Sequence, residues 1–122
     1  MSQHRLEPAQ IGLSELAHHL LDRMVRDRHF SEMRDGYRFA VALALAREAD
    51  IERPQGARKN IFSTSTLDPD QLLKLAIDTL RPSSDEPAYR IAERLADWGI
   101  SEMNRHLYDE YGSIESLLVQ KV

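Results

Sequence analysis

Between Gly12 and Arg28 the apolar residues Leu13, Leu16, Ala17, Leu20, Leu21, Met24 and Val25 recur every three or four positions, the spacing of one helix face. His18, His19, Asp22, Arg23, Arg26 and Asp27 fall mainly on the opposite side, so the pattern predicts an amphipathic helix over 12–28. Ahead of it, residues 1–10 read as a flexible N-terminal arm. A second helix starts near Ser31 or Asp35, either of which can cap free amides, and runs to about Ala49. It is apolar nearly all round, from Phe39 through Ala40, Val41, Ala42, Leu43, Ala44 and Leu45 to Ala46. Its alanines permit close helix approach, which places it at the centre of the core or at an oligomer interface. Arg34 and Arg38 mark one wetter end, Arg47 and Glu48 the other.

Pro54 and Gly56 among charged residues mark 50–60 as an exposed loop. Asn60 to Leu67, rich in β-branched and hydroxyl residues, reads as an extended segment or short strand. Asp68, Pro69, Asp70 and Gln71 then form a helix start, with Asp68 as cap and Gln71 three residues on. The predicted helix spans 69–80, with Leu72, Leu73, Ala76, Ile77 and Leu80 inward and Pro82 ending it. Pro87 opens another helix carrying Ala88, Ile91, Ala92, Leu95 and Ala96. Gly99 could end it with Ser101 as a new cap, but Met103, Leu107 and Tyr111 continue the stripe, which favours continuity. Gly112 and Ser113 open a short final helix with Ile114, Leu117 and Leu118. The expected architecture is a single all-α domain over 1–122, a compact bundle of about five helices with one extended segment near 60–67.

Composition fits this reading: 122 residues suffice for one core, and 42% hydrophobic with 30% charged residues describes a globular chain. The absence of cysteine removes disulfides, thiolate metal sites and cysteine nucleophiles. The polar N-terminus does not resemble a secretion signal, and the longest apolar run, 39–46, is far shorter than the roughly 20 residues of a spanning helix. A cytoplasmic, membrane-free protein is the default expectation. The net charge of −4 is uneven: residues 21–60 hold nine Lys/Arg against seven Asp/Glu, residues 61–122 six against eleven. The overall negative field argues against strong non-specific nucleic-acid binding.

Chemistry-bearing constellations are sparse. His18 and Asp22, one turn apart beside His19, offer part of a metal site, yet His4, His29 and His106 supply no matching spacing. Asp68 and Asp70 could chelate a cation but are explained by helix capping. Ser63, Thr64, Ser65 and Thr66 lack a G-x-S-x-G motif or a glycine-rich phosphate cradle. No catalytic residue, cofactor or metal is therefore expected. The basic set Arg23, Arg26, Arg28, Arg34 and Arg38, with Arg58 and Lys59, is the leading binding candidate. Arginines converging at the ends of two helices can grip phosphates, while Asp22, Asp27, Glu32 and Asp35 offer ordinary surface partners instead.

The order from Asn60 to Gly99, extended segment, capped helix, turn and second helix, resembles ribbon-helix-helix DNA-binding modules. In register, that strand would present Asn60, Phe62, Thr64 and Thr66 on one face. The stretch of Phe30, Met33, Asp35, Gly36, Tyr37, Arg38 and Phe39 to Leu45 resembles a segment of small proteins accompanying bacterial DNA phosphorothioate-modification and related phage-defence systems. The resemblance covers about a tenth of the chain. It implies a bacterial accessory protein working on or near DNA and carries over no catalytic residue.

Two functions follow as expectations. The first is a non-enzymatic helical protein that oligomerises or docks a protein partner through Phe39, Val41, Leu43 and Leu45. The alternative is a DNA-binding accessory factor using Arg23, Arg26, Arg34, Arg38, Arg58 and Lys59 on phosphates. A metal-dependent enzyme built on His18, His19 and Asp22 is a third reading.

Overall fold

The computed structural model describes residues 6–51, 58–82 and 85–119. The chain opens with a strand, β1 (Gln10–Ser14), whose Ile11, Gly12 and Leu13 are buried. Ser14 then caps α1 (Glu15–Arg26), its hydroxyl accepting the Ala17 amide at 3.2 Å, with Glu15 at the positive end of the helix dipole. The helix expected from Gly12 thus starts three residues later. Leu13 fits the helix stripe, whereas Ile11 and Leu13 together share one strand face, and a distant partner decides for the strand. That partner is β2 (Arg58–Ser63), antiparallel to β1, with Gln10 opposite Ser63, Leu13 opposite Lys59 and an irregularity between Ile11 and Gly12. A Cβ at Gly12 would overlap the Lys59 carbonyl.

The fold is therefore largely helical with a small antiparallel sheet, rather than all-α. α2 (Met33–Ala46) ends earlier than expected, because Glu48 turns left-handed at φ 50° and the Ala49 amide returns to the Ala44 carbonyl. A four-residue turn of helix, α3 (Thr64–Leu67), follows β2. α4 (Leu72–Leu80) begins later than the 69–80 forecast, since Gln71 is left-handed at φ 60°. Asp68 still caps it, reaching past the turn to accept the Leu73 and Lys74 amides at 2.9 and 3.0 Å. α5 (Ala88–Asn104) runs through Gly99 as the continuous stripe implied, then passes into a π-helical turn at Arg105–Asp109. α6 (Ile114–Val119) closes the fold. Of the arm expected over 1–10, residues 1–5 lie outside the described residues, whereas Glu7 is engaged, accepting the Ala88 and Tyr89 amides at 2.9 and 3.0 Å and capping α5.

The core centres on the crossing of α2 and α5, the most extensive contact between elements. Small residues permit it: Ala40, Ala44, Ala92 and Ala96 are fully buried, and Gly99 lies against the Ala40 backbone. Met103, Ile100 and Leu95 continue the α5 face, and Leu21 and Met24 of α1 cover its flank. Among the described residues no helix is long and apolar enough to cross a membrane.

In an exposed helix, glycine to alanine stabilises by about 1 kcal/mol. At Gly99 the added methyl would overlap the Ala40 carbonyl, so Gly99→Ala is expected to destabilise by about 2 kcal/mol or more, read from the midpoint of urea unfolding.

Candidate functional site

The nine-residue helix α4 touches the core with little of its surface. Ile77 is fully buried, Leu73 and Ala76 are half-buried, and Leu72, Leu75 and Leu80 are 61%, 59% and 61% exposed. The inward placement expected for Leu72 and Leu80 is thus overturned, because Ile77 takes the side that packs on α5. Leu72, Leu75, Ala76 and Thr79 follow the i, i+3, i+4, i+7 spacing of a helix-pairing stripe. Lys74 and Asp78 lie off this stripe and pair at 2.9 Å. Both ends of α4 are fixed: Tyr89 donates to Asp68 at 2.8 Å at the start, and Arg81 donates to the Ala49 carbonyl at 3.3 Å at the end.

The interface residues expected on α2 are placed differently. Val41 is fully buried and Leu43 nearly so, both inside the core, while Phe39 and Leu45 are half-buried; Phe39 packs on Phe30 with ring centroids 5.7 Å apart.

The six predicted phosphate-binding cations are spread over α1, α2 and β2. Arg23 lies 3.7 Å over the Tyr108 ring and pairs with Asp27, Arg26 pairs with Asp22 at 3.2 Å, and Arg34 pairs with Glu32 at 3.4 Å. The Nε atoms of Arg34 and Arg38 are buried without a partner. Arg58 is drawn inward to Glu93 at 2.9 Å, and Lys59 beside it on β2 stays exposed.

Periodicity gave no hint of the polar cluster around Glu93. This carboxylate is 1% exposed and accepts from the Gly12 amide, Arg58 Nε and Arg90 Nη1, each at 2.9 Å. Asp97, one turn on, accepts the Ser14 amide at 3.1 Å, and the Tyr37 hydroxyl donates to the Gly12 carbonyl at 2.8 Å. Burial, with Glu93 and Asp97 nearby, holds the Tyr37 hydroxyl well above its ordinary range. Burial and the bond to Asp68 raise Tyr89 as well, and burial with the bond to Asp27 pushes Tyr108 up to about 12.

At the far end, His106 is buried in the π-helical turn, with Nδ1 3.3 Å from Glu110 and Nε2 in contact with Ser116 Oγ and the Ser113 carbonyl. Ser113 and Ser116 also exchange amide-to-hydroxyl bonds at 3.1 Å, the reciprocal capping of α6, so this network docks the last helix. No group of three or more His, Asp or Glu able to hold a metal occurs among the described residues, and none forms around His18, His19 and Asp22. Ser63 caps α3 by accepting the Thr66 amide at 3.1 Å.

No protein-family model, curated protein or solved structure matches the chain.

The tyrosines give a pH prediction. As pH rises through about 10 the unfolded chain ionises its tyrosines, while folded Tyr37, Tyr89 and Tyr108 keep their protons, so the unfolded state binds fewer protons and stability falls. Tyr37→Phe should cost about 1–2 kcal/mol at neutral pH by orphaning the Gly12 carbonyl, and should flatten the alkaline decline. Denaturant midpoints measured across pH 8 to 11 for both proteins check this; parallel curves would contradict it.

Proposed function

We propose that this chain is a non-enzymatic interaction protein that self-associates through the apolar face of α4. The observation carrying this reading is the exposure of Leu72, Leu75 and Leu80 on a helix anchored at both ends. Isolated exposed leucines are ordinary, but a helical stripe of them forms a contiguous apolar surface, which in a soluble domain marks an interaction site. This reading keeps the first function expected from sequence and takes α4 rather than α2 as the docking surface.

The occupant is a second copy of the chain. An antiparallel α4 pair centred near Ala76 sets Leu72 and Leu75 of one copy against the same stripe of the other. The stripe then faces itself, as a two-fold interface requires. Partner docking through the same face would be the outcome if a second copy does not occupy it.

Sedimentation equilibrium over a dilution series should show a reversible dimer. Leu75→Glu should abolish it while leaving the melting temperature of the monomer within about 2 °C, because Leu75 contributes little to the core. A monomer at every concentration, or a dimer indifferent to Leu75→Glu, rejects self-association through α4.

A further inference from the structure

The turn that joins α1 to α2 gathers cations around a concave surface. Arg28 and His29 donate their amides to the Val25 and Met24 carbonyls at 3.0 and 2.9 Å, closing the C-terminal end of α1. This leaves Arg28 at φ 67°, in the left-handed position that glycine usually occupies. Beyond the turn, Val25, Arg26, Arg28, Phe30 and Ser31 line an open cleft of about 480 Å³. That volume lies within the roughly 300–1,000 Å³ typical of small-molecule sites.

The lining is chemically one-sided. Among the described residues it is lined by two arginines, a serine, a phenylalanine and a valine, and by no carboxylate residue. Arg26 pairs with Asp22 at 3.2 Å, but both side chains are about half-exposed, and such a pair exchanges readily for a stronger anion. No ion pair ties down Arg28 among the described residues. Three of the carbonyls at the end of α1, those of Arg23, Met24 and Val25, are already bonded to the amides of Asp27, His29 and Arg28.

We propose that this cleft binds a nucleoside phosphate, with Arg26, Arg28 and the Ser31 hydroxyl on the phosphate oxygens and the base against Phe30 and Val25. Guanidinium groups match phosphate oxygens in charge and in fork geometry, and an aromatic wall accepts any base by stacking. The shared chemistry comes from two sources, a free nucleotide or a single-stranded nucleic acid. The site is independent of α4 and of self-association.

The test follows the anisotropy of a fluorescent ATP analogue titrated with protein at low salt, competed by unlabelled ATP, oligothymidylate and inorganic phosphate. The nucleotide should bind, and inorganic phosphate should compete about tenfold or more weakly because it lacks the base. Competition by oligothymidylate about tenfold stronger than by ATP assigns the site to a strand, and weaker or equal competition assigns it to the free nucleotide. Arg28→Gly removes the cation while suiting the positive φ, so it should melt at or above the temperature of the unaltered protein yet bind about tenfold more weakly. Absence of nucleotide binding at low salt, inorganic phosphate competing as well as ATP, or unchanged affinity in Arg28→Gly overturns the proposal.

Discussion

A carboxylate with 1% of its surface exposed persists in a protein interior only where its charge is met on the spot, and Glu93 is met from three directions. Arg90 comes from its own helix, Arg58 from β2, and the Gly12 amide from β1. The bonds to Arg58 and Gly12 are what join the small sheet to the helices. A two-stranded ribbon is marginal in water, and the outward edge of β1 would present unpaired groups to a packed core. Glu93, Asp97 and Tyr37 supply those partners one by one, taking the Gly12 amide, the Ser14 amide and the Gly12 carbonyl. Removing a charged partner from a buried carboxylate costs up to about 3–5 kcal/mol, because the carboxylate is left charged and buried. The hydrophobic burial of Ile11 and Leu13 therefore depends on a polar contact that holds their strand in place.

What could be read from the sequence divides along the same physical line. α1, α2 and α5 announce themselves because a 3.6-residue period is local, and the stripe through Met103 and Leu107 carried α5 past Gly99. β1 was hidden because it is short, because Leu13 also continues the helix stripe of α1, and because the deciding partner lies more than forty positions away. Several helix boundaries were hidden for another reason. Arg28, Glu48 and Gln71 adopt positive φ without being glycine or asparagine, so the residue types that normally mark a stop or start are missing. The capping role of Asp68 was legible, whereas its reach across a left-handed Gln71 was not.

The candidate surfaces were less legible than the helices, since periodicity tells which side chains are apolar but not which of them find a neighbour. α2 is apolar nearly all round, and in this fold much of that surface is covered: Ala40, Val41 and Ala44 are fully buried, while Phe39 and Leu45 are half-buried. α4 has leucines at 72, 73, 75 and 80 with Ile77, also apolar nearly all round, but only one side meets α5. Three of the large exposed apolar side chains therefore lie together on the shorter helix. The arginines illustrate the converse, because local carboxylates at 22, 27 and 32 pair with three of them and Glu93 draws Arg58 inward, engagements that charge counting along the chain does not reveal.

An exposed apolar helix can mean either a surface built for contact or a segment that has not found its place, and the anchoring of α4 separates the two. A helix held by packing alone would have its position set by the residues it buries, and α4 fully buries one, Ile77. Its placement is instead set by polar bonds at both ends. Asp68, 4% exposed, binds the Leu73 and Lys74 amides and the Tyr89 hydroxyl, tying the start of α4 to the first turn of α5. That turn of α5 is itself closed by Glu7. Arg81 ties the other end to the Ala49 carbonyl, beyond the end of α2. Directional bonds fix orientation as well as position, and they leave the side chains of Leu72, Leu75 and Leu80 outward at little cost to the fold. The leucines thus stand on a preorganised platform, and preorganisation reduces the ordering entropy that association must overcome.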